Sequence, residues 1–320
     1  MNHSVLLWAA FNVFVLFMLV LDLRVFHKRA HEVSIKEALL WSAFWIFLSL
    51  CFNVGVYLFE GSEVALQFFT GYIIEKSLSV DNLFVFLLIF SYFKVPPKYQ
   101  HKVLFWGIVG ALLMRGMLIF VGVTLISQFH WILYIFGAFL VFTGIKMAFQ
   151  DEAVDIHPEN NIFVRFFKKF LPVTAGYHED KFFVRVEKKL YATLLFVVII
   201  VVETTDLVFA LDSIPAVFAI TRDPFIVYTS NVFAILGLRA LYFALAGLLD
   251  LFHYLKFGLS IVLAFIGMKM LVESFYDMPI LFALGVVVGV LTIAVITSVL
   301  FPKKEKLPLP PGLPELPEDP

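Results

Sequence analysis

Five acidic side chains, Glu75, Asp81, Glu203, Asp206 and Asp212, lie deep inside long apolar runs of the sequence, with Ser79, Asn82 and Ser213 beside them. Carboxylate, hydroxyl and amide oxygens suit hard divalent cations such as Mg2+, Ca2+ and Mn2+, whereas softer metals prefer imidazole or thiolate. All eight histidines fall in loops or at helix ends, and Cys51 is the only cysteine. A His/Cys site for zinc or copper is therefore disfavoured, and neither an internal disulfide nor a thiolate cage can form. Oxygen chemistry alone leaves Mn2+, Ca2+ and Mg2+ undivided. There is no nucleophile–base pair, phosphate loop or soluble catalytic domain, so the expectation is a protein that is not an enzyme and carries no cofactor.

The acids are expensive where they stand. A carboxylate at the centre of a membrane helix costs about 2.5–3.5 kcal/mol, so five would cost on the order of 12–17 kcal/mol if simply summed. Ion pairing with Arg115, Arg239 and Lys76, which lie in the same runs, offsets part of this. Five acids against these three bases leave two negative sites in excess. An ion pathway explains the excess, and packing does not. Arg115 and Arg239 are then counter-charges or gating groups.

These residues need elements to hold them, and the composition names the kind. Of 320 residues, 61% are apolar and 15% charged, with 39 phenylalanines, whereas a soluble domain runs near half apolar and a quarter charged. That excludes an ordinary cytoplasmic enzyme and a disordered chain, and the net charge of −1 gives no field to recruit nucleic acid. Nine stretches have the roughly 20 apolar residues that span a bilayer: 4–26, 35–59, 64–92, 102–127, 130–150, 190–220, 225–249, 254–273 and 279–301. The first lacks the basic start of a signal peptide and reads as a retained anchor. Of the 24 basic residues, 19 fall on one set of alternate loops, and only Arg222 falls on the other. The rule that cytoplasmic loops are basic then predicts an outside N-terminus and a cytoplasmic C-terminus. Two segments are not membrane. Loop 151–190, with His157, His178, Glu179 and Asp180, reads as a solvated cytoplasmic connector or interfacial helix. The tail 302–320 carries 7 of the 14 prolines and reads as a disordered, extended cytoplasmic segment, leaving 1–301 as the transmembrane domain.

Within the spans, helical spacing puts Glu75, Ser79 and Asn82 on one face of the third, and Glu203, Asp206 and Ser213 on one face of the sixth. Asp81 and Asp212 point about 100° away and flank the site. Pro215 cannot donate to the carbonyl of Leu211, so a kink or unwinding is expected there, freeing an oxygen and turning Asp212 inward. Three features recur in order. Glu75 precedes Asp81-Asn82 by six residues as Asp206 precedes Asp212-Ser213; LLMRG holds Arg115 as LGLRA holds Arg239; and LVFTGIKM (140–147) matches LAFIGMKM (263–270). The offsets are 131, 124 and 123. Three helices is an odd number, so the second copy enters the membrane from the other side, as in the inverted repeats of secondary transporters. The expected fold is an all-α polytopic membrane protein of about nine transmembrane helices, with an inverted three-helix repeat of spans 3–5 (about 64–150) and 6–8 (about 190–273).

The stretches EKSLSVDNLFVF (75–86), ETTDLVFALDSIPAVFAIT (203–221) and FIVYTSNVFAILGLRALYF (225–243) closely resemble the TerC family of integral membrane proteins, and the fuller match from the first helix to about residue 301 resembles its Alx branch. The resemblance implies a multi-pass protein of the bacterial inner membrane associated with manganese export and with tellurium resistance. It places the family's acidic motifs on Glu75, Asp81 and Asn82, and on Glu203, Asp206, Asp212 and Ser213. The expected function is efflux of a divalent cation, Mn2+ foremost, coupled to proton entry through these residues, with Ser79 as a further ligand. Its partners are then Mn2+, protons and the lipid bilayer, with no nucleic acid. The alternatives are a membrane scaffold or assembly factor, and a transporter of a tellurium oxyanion; the latter fits poorly with a site that is net negative.

Overall fold

In a computed structural model of the chain, the structure describes residues 5–26, 35–129, 131–149, 165, 172–174, 176–186, 189–245, 254–273, 275–276 and 278–301, without the side chains of residues 22–26, 35, 81, 84, 186 and 245. His157, most of loop 151–190 before residue 172, and the proline-rich tail lie outside the described residues.

Each of the nine apolar stretches carries helix. The elements run α1 (Val5–Phe26), α2 (Ile35–Glu60), α3 (Ser62–Tyr92), α4 (Pro97–Gln128), α5 (Ile132–Phe149), β1 (Phe183–Val186), β2 (Lys189–Ala192), α6 (Leu194–Phe218), α7 (Pro224–Leu236), α8 (Leu238–Leu245), α9 (Leu255–Val272) and α10 (Ile280–Leu300). Seven spans among the described residues are long and apolar enough to cross a membrane: α2, α4, α5, α6, α7 with α8, α9 and α10. The chain is a mostly helical, polytopic membrane protein. α1 contributes a shorter apolar stretch, Val5–Leu21. α3 is long enough but carries Glu63, Glu75, Lys76 and Asp81 within its 31 residues.

Local chemistry sets the ends. Pro97 occupies the first turn of α4 and Pro224 that of α7, where a missing N–H costs nothing. The Asp223 carboxylate accepts from the backbone N–H groups of Phe225 and Ile226 at 2.9 and 3.2 Å, an N-cap that satisfies donors otherwise left bare.

Three expectations need correction. The stretch from residue 190 does not begin as helix: Lys189–Ala192 pairs antiparallel with Phe183–Val186, so the all-α reading gains a small hairpin. Its alternating residues suit a strand, and α6 starts only at Leu194. The stretch 225–249 is broken at Gly237, which separates α7 from α8. A Cβ there would lie 2.9 Å from Lys76 Nζ and 3.1 Å from Trp45 Cβ, so a side chain at this position would have to displace both. Finally, α6 stays helical through Pro215 from Leu194 to Phe218. Asp212 is not turned by unwinding.

Two apolar cores hold the helices. One gathers Phe11 and Phe52 with Phe68 and Phe233 in tilted and edge-to-face contacts. The other joins α5, α6, α9 and α10. α5 and α9 pack closely at glycines. A Cβ at Gly144 would meet Ser260 O at 2.7 Å and Ala264 N at 2.8 Å, and one at Gly267 would meet Gly137 O at 2.6 Å and Val141 N at 2.7 Å. α3 packs on α7 and α4 on α6, and α3 and α6 pack on each other.

Candidate functional site

The contact of α3 with α6 is where the buried charges meet. α3 brings Glu75, Ser79 and Asn82 inward, all buried, and α6 brings Asp206 and Ser213. These are the inward faces expected from helical spacing. From α4, Arg115 reaches between them and is 1% exposed. Its guanidinium clasps Asp206 in a two-pronged bond, Nε donating to Oδ2 at 3.0 Å and Nη2 to Oδ1 at 2.9 Å. Nη1 donates to Glu75 Oε1, and over a longer 3.4 Å to Oδ1 of Asn231 on α7. One residue thus ties α4 to α3, α6 and α7. A planar fork of donors is the side chain suited to this, and a buried carboxylate without such a partner would be strongly disfavoured.

The cluster leaves polar atoms over. Among the described residues, Glu75 Oε2, Ser79 Oγ, Asn82 Nδ2, Ser213 Oγ, Glu203 Oε2 and Asn231 Nδ2 are buried and have no hydrogen-bond partner. Native proteins leave few such groups, so these orphaned atoms, spread along α3, α6 and α7, mark helices where further ligation fits.

Of the seven expected metal ligands, the structure draws Glu75 and Asp206 together through Arg115 and buries Asn82 and Ser213 on the same two helices. Glu203 stands one turn from Asp206, its carboxylate pressed on Gly110 of α4, where a Cβ would collide with it. Asp212 faces elsewhere, hydrogen-bonded with Thr143 of α5 and close to Lys146. It belongs to the α5 contact because α6 does not unwind. The Asp81 side chain lies outside the described residues. Among those described, no three His, Cys, Asp or Glu side chains gather closely enough to hold a metal ion; the group between Glu75 and Asp206 is a guanidinium. Arg239 is buried in α8, also 1% exposed.

Spacing arguments missed three features. Asn231 is buried at 1% in the run Thr229-Ser230-Asn231, whose three consecutive polar residues in an apolar span were the available signal. Gly110 seats Glu203, and nothing in its neighbours points to that. Lys76 and Lys269 cap broken or ending helices: Lys76 Nζ donates to Ala234 O at 3.1 Å, just before the α7–α8 break, and Lys269 Nζ donates to Ala219 O at 2.7 Å, at the end of α6. Carbonyls freed within a bilayer need such donors.

The two ends of the helix bundle are closed by different contacts. At the α4 start, Lys102 Nζ donates to the Asp180 backbone carbonyl at 2.5 Å and to its Oδ2 at 2.9 Å, and sits 4.6 Å from the Phe182 ring. The hydrogen bond from Lys102 holds the Asp180 carboxyl below its usual value. Tyr177 Oη donates to Phe93 O at 2.8 Å, and burial pushes its phenol up to about 12. At the opposite end, Arg222 pairs with Glu273 at 2.6 Å, and Thr221 Oγ1 donates to Gln67 Oε1 at 2.6 Å.

Comparison with known proteins places this geometry in company. The family model described as "Integral membrane protein TerC family" matches residues 60–306. The chain is 50% identical over 294 residues to an "Uncharacterized membrane protein" of Myxococcus xanthus, covering 92% of both. It is 51% identical over 302 residues to proteins of Salmonella typhi and Escherichia coli (strain K12), each named "Putative membrane-bound redox modulator Alx", covering 92% of this chain and 94% of theirs. No solved structure matches the chain.

Proposed function

The chain belongs to the TerC family of integral membrane proteins, and from that premise we propose that it exports a divalent cation, Mn2+ foremost, across the bacterial inner membrane in exchange for protons. The observation that carries this reading is the pair of buried carboxylates, Glu75 and Asp206, held around one guanidinium at the α3–α6 contact. Buried acids from two helices form the kind of hard-oxygen site that Mn2+, Ca2+ and Mg2+ take, and the family resemblance favours manganese among them. Two nearby hydroxyls and an amide extend the site: Ser79 and Asn82 along α3, Ser213 along α6.

The proposal includes the inverted repeat. α3, α4 and α5 exchange with α6, α7–α8 and α9, and several contacts support the exchange. The contact of α3 with α7 has its image in α4 with α6. Gly144 meets Ser260 and Ala264 as Gly267 meets Gly137 and Val141, and each of these residues is its counterpart's image at the sequence offset of 123. Because α3 and α6 then run in opposite directions, Ser79 and Asn82 lead from the site toward one side of the membrane and Ser213 toward the other. Rocking of one repeat on the other, with the N-terminus outside and the C-terminus in the cytoplasm, would open the two sides in turn. Protons and metal ions compete for the same carboxylate oxygens, so binding one releases the other, and exchange follows. A redox role, as in the names of the Alx relatives, would have to work without an internal disulfide, since Cys51 is the only cysteine.

The test is ion accumulation in everted vesicles and in proteoliposomes, comparing Mn2+ with Ca2+, Mg2+ and Zn2+. Mn2+ uptake into everted vesicles should slow when the pH gradient is collapsed, and Glu75→Gln or Asp206→Asn should abolish it at unchanged protein level. A scaffold would tolerate both changes. Full transport in both variants refutes the proposal.

A further inference from the structure

Resting on the exporter reading, we propose that Asn231 is a ligand of the transported ion, its side-chain oxygen completing the site with Glu75 and Asp206. The sequence motifs assign it no such role; the structure brings it there. Asn231 is 1% exposed, in the middle of α7, with its Oδ1 turned to the same Arg115 nitrogen that Glu75 Oε1 accepts from. Its Nδ2 is buried and without a partner among the described residues, so packing alone does not account for an amide at this position. The three oxygens that accept from Arg115 at short range and the fourth from Asn231 surround one cationic group from three helices.

An ion that takes the place of the guanidinium inherits those oxygens. Once Arg115 withdraws, the Asn231 carbonyl has lost its donor in a water-poor interior, and a cation satisfies it. Two carboxylates and one amide offer at most five oxygens, with Glu75 Oε2 already free of other bonds. That number suits an ion that keeps some of its own water, as Mg2+ and Mn2+ do, better than Ca2+ with its six to eight ligands. The neutral amide also matters for charge, since a third carboxylate would leave a divalent ion over-compensated.

The experiment exchanges the donor atom. In a Cys51→Ser background, Asn231→Cys replaces an oxygen donor with sulfur, which prefers Cd2+. Cd2+ should then inhibit Mn2+ transport at a concentration lower by about tenfold or more, the scale on which changed ligation moves metal affinity. The purified protein should also show the ultraviolet thiolate-to-cadmium band, a readout that needs no transport. Asn231→Ala should raise the KM for Mn2+ by about tenfold or more with Vmax less affected. Asn231→Asp, which keeps the oxygen but adds a third negative charge, should bind Mn2+ better than Asn231→Ala while releasing it more slowly than the wild type. A residue that only steadied Arg115 would give neither the cadmium band nor the shift in ion preference. Mn2+ transport by the wild type together with an Asn231→Cys variant that shows no band and unchanged cadmium sensitivity overturns the ligand assignment alone. A wild-type protein that binds none of Mn2+, Mg2+ or Ca2+ overturns both the assignment and the exporter reading.

Discussion

Replacing Arg115 with methionine keeps an unbranched apolar stem, shorter than that of arginine, and removes the charge and donors. Glu75 and Asp206 would then face each other across the space of a guanidinium with no cation between them. Two unit charges about 5 Å apart repel by roughly 3 kcal/mol at an effective dielectric of about 20. Breaking a buried ion pair by removal of one partner costs about 3–5 kcal/mol in measured cases. The two figures describe the same stranded charge by different routes, so they are not added, and Arg115→Met should destabilise the fold by about 3–5 kcal/mol. Adding Asp206→Asn to Arg115→Met leaves one carboxylate and should recover most of that loss.

The same variant tests the ion. On the exporter reading, Mn2+ would occupy the pair once the tethered cation is gone, and a ligand at about 100 times its Kd stabilises by about 2.7 kcal/mol. Unfolding of the full chain in detergent, with and without Mn2+, reads both effects. Arg115→Met should gain more from Mn2+ than the wild type does, because no guanidinium competes. Stability within about 0.5 kcal/mol of wild type, the range of an ordinary surface change, together with no added Mn2+ shift, would refute the account of Arg115 as the internal counter-ion.

Gly144→Val and Gly267→Val should each force α5 and α9 apart, costing about 1–3 kcal/mol or more and stopping transport, whereas Gly289→Val, which meets nothing within 4 Å, should do neither; thermal unfolding and vesicle uptake check this. The Asp180 carboxyl is held below its ordinary value of 3.8 by Lys102, so its contribution to docking the hairpin is present above that value and is lost as pH falls through the lowered one. Limited proteolysis at Lys181 and Arg185 should therefore be unchanged from neutral pH down to about 4, and Asp180→Asn should raise it at neutral pH. Cysteines placed after Phe301, with Cys51 replaced, should resist an impermeant reagent in intact cells and react after lysis; labelling in intact cells would overturn the outside N-terminus.

How much of this was legible follows from what each signal measures. Apolar length finds the helices, and all nine stretches carry one, because a bilayer demands length and hydrophobicity and little else. It does not find the break at Gly237, since the hydropathy of an interrupted span equals that of a continuous one and the neighbours of that glycine, Trp45 and Lys76, lie in other helices. The hairpin was hidden for a different reason: two four-residue strands within a charged loop carry too short an alternation to stand out. Helical spacing correctly put Glu75, Ser79 and Asn82 on one buried face, and the third and sixth stretches do meet. Spacing describes one helix at a time, however, and cannot say that Arg115 would take Asp206 in both prongs, or that α7 would supply Asn231. Attention to charge also passed over a neutral amide whose burial is as complete as that of the arginine it faces.

The charge balance of the cluster gives the last step. Glu75 and Asp206 together carry two negative charges if both are ionised, and Arg115 supplies one positive charge, so the pair is under-compensated by one. A monovalent cation could at best replace Arg115 without improving that balance, while a divalent ion neutralises the pair. On the exporter reading, the higher charge favours displacement of the guanidinium against the cost of leaving Arg115 without its partners, and displacement has a mechanical consequence that a free counter-ion would lack. Arg115 is part of α4, and its bonds add a polar tie from α4 to α3, α6 and α7 to the apolar packing of α4 on α6 and α7. On the same reading, an ion seated in its place would bridge α3 and α6 without the polar tie to α4, and ion binding would be coupled to the arrangement of the helices. Only a difference in affinity between two arrangements lets a ligand shift them, and exchanging a tethered cation for an untethered one creates that difference.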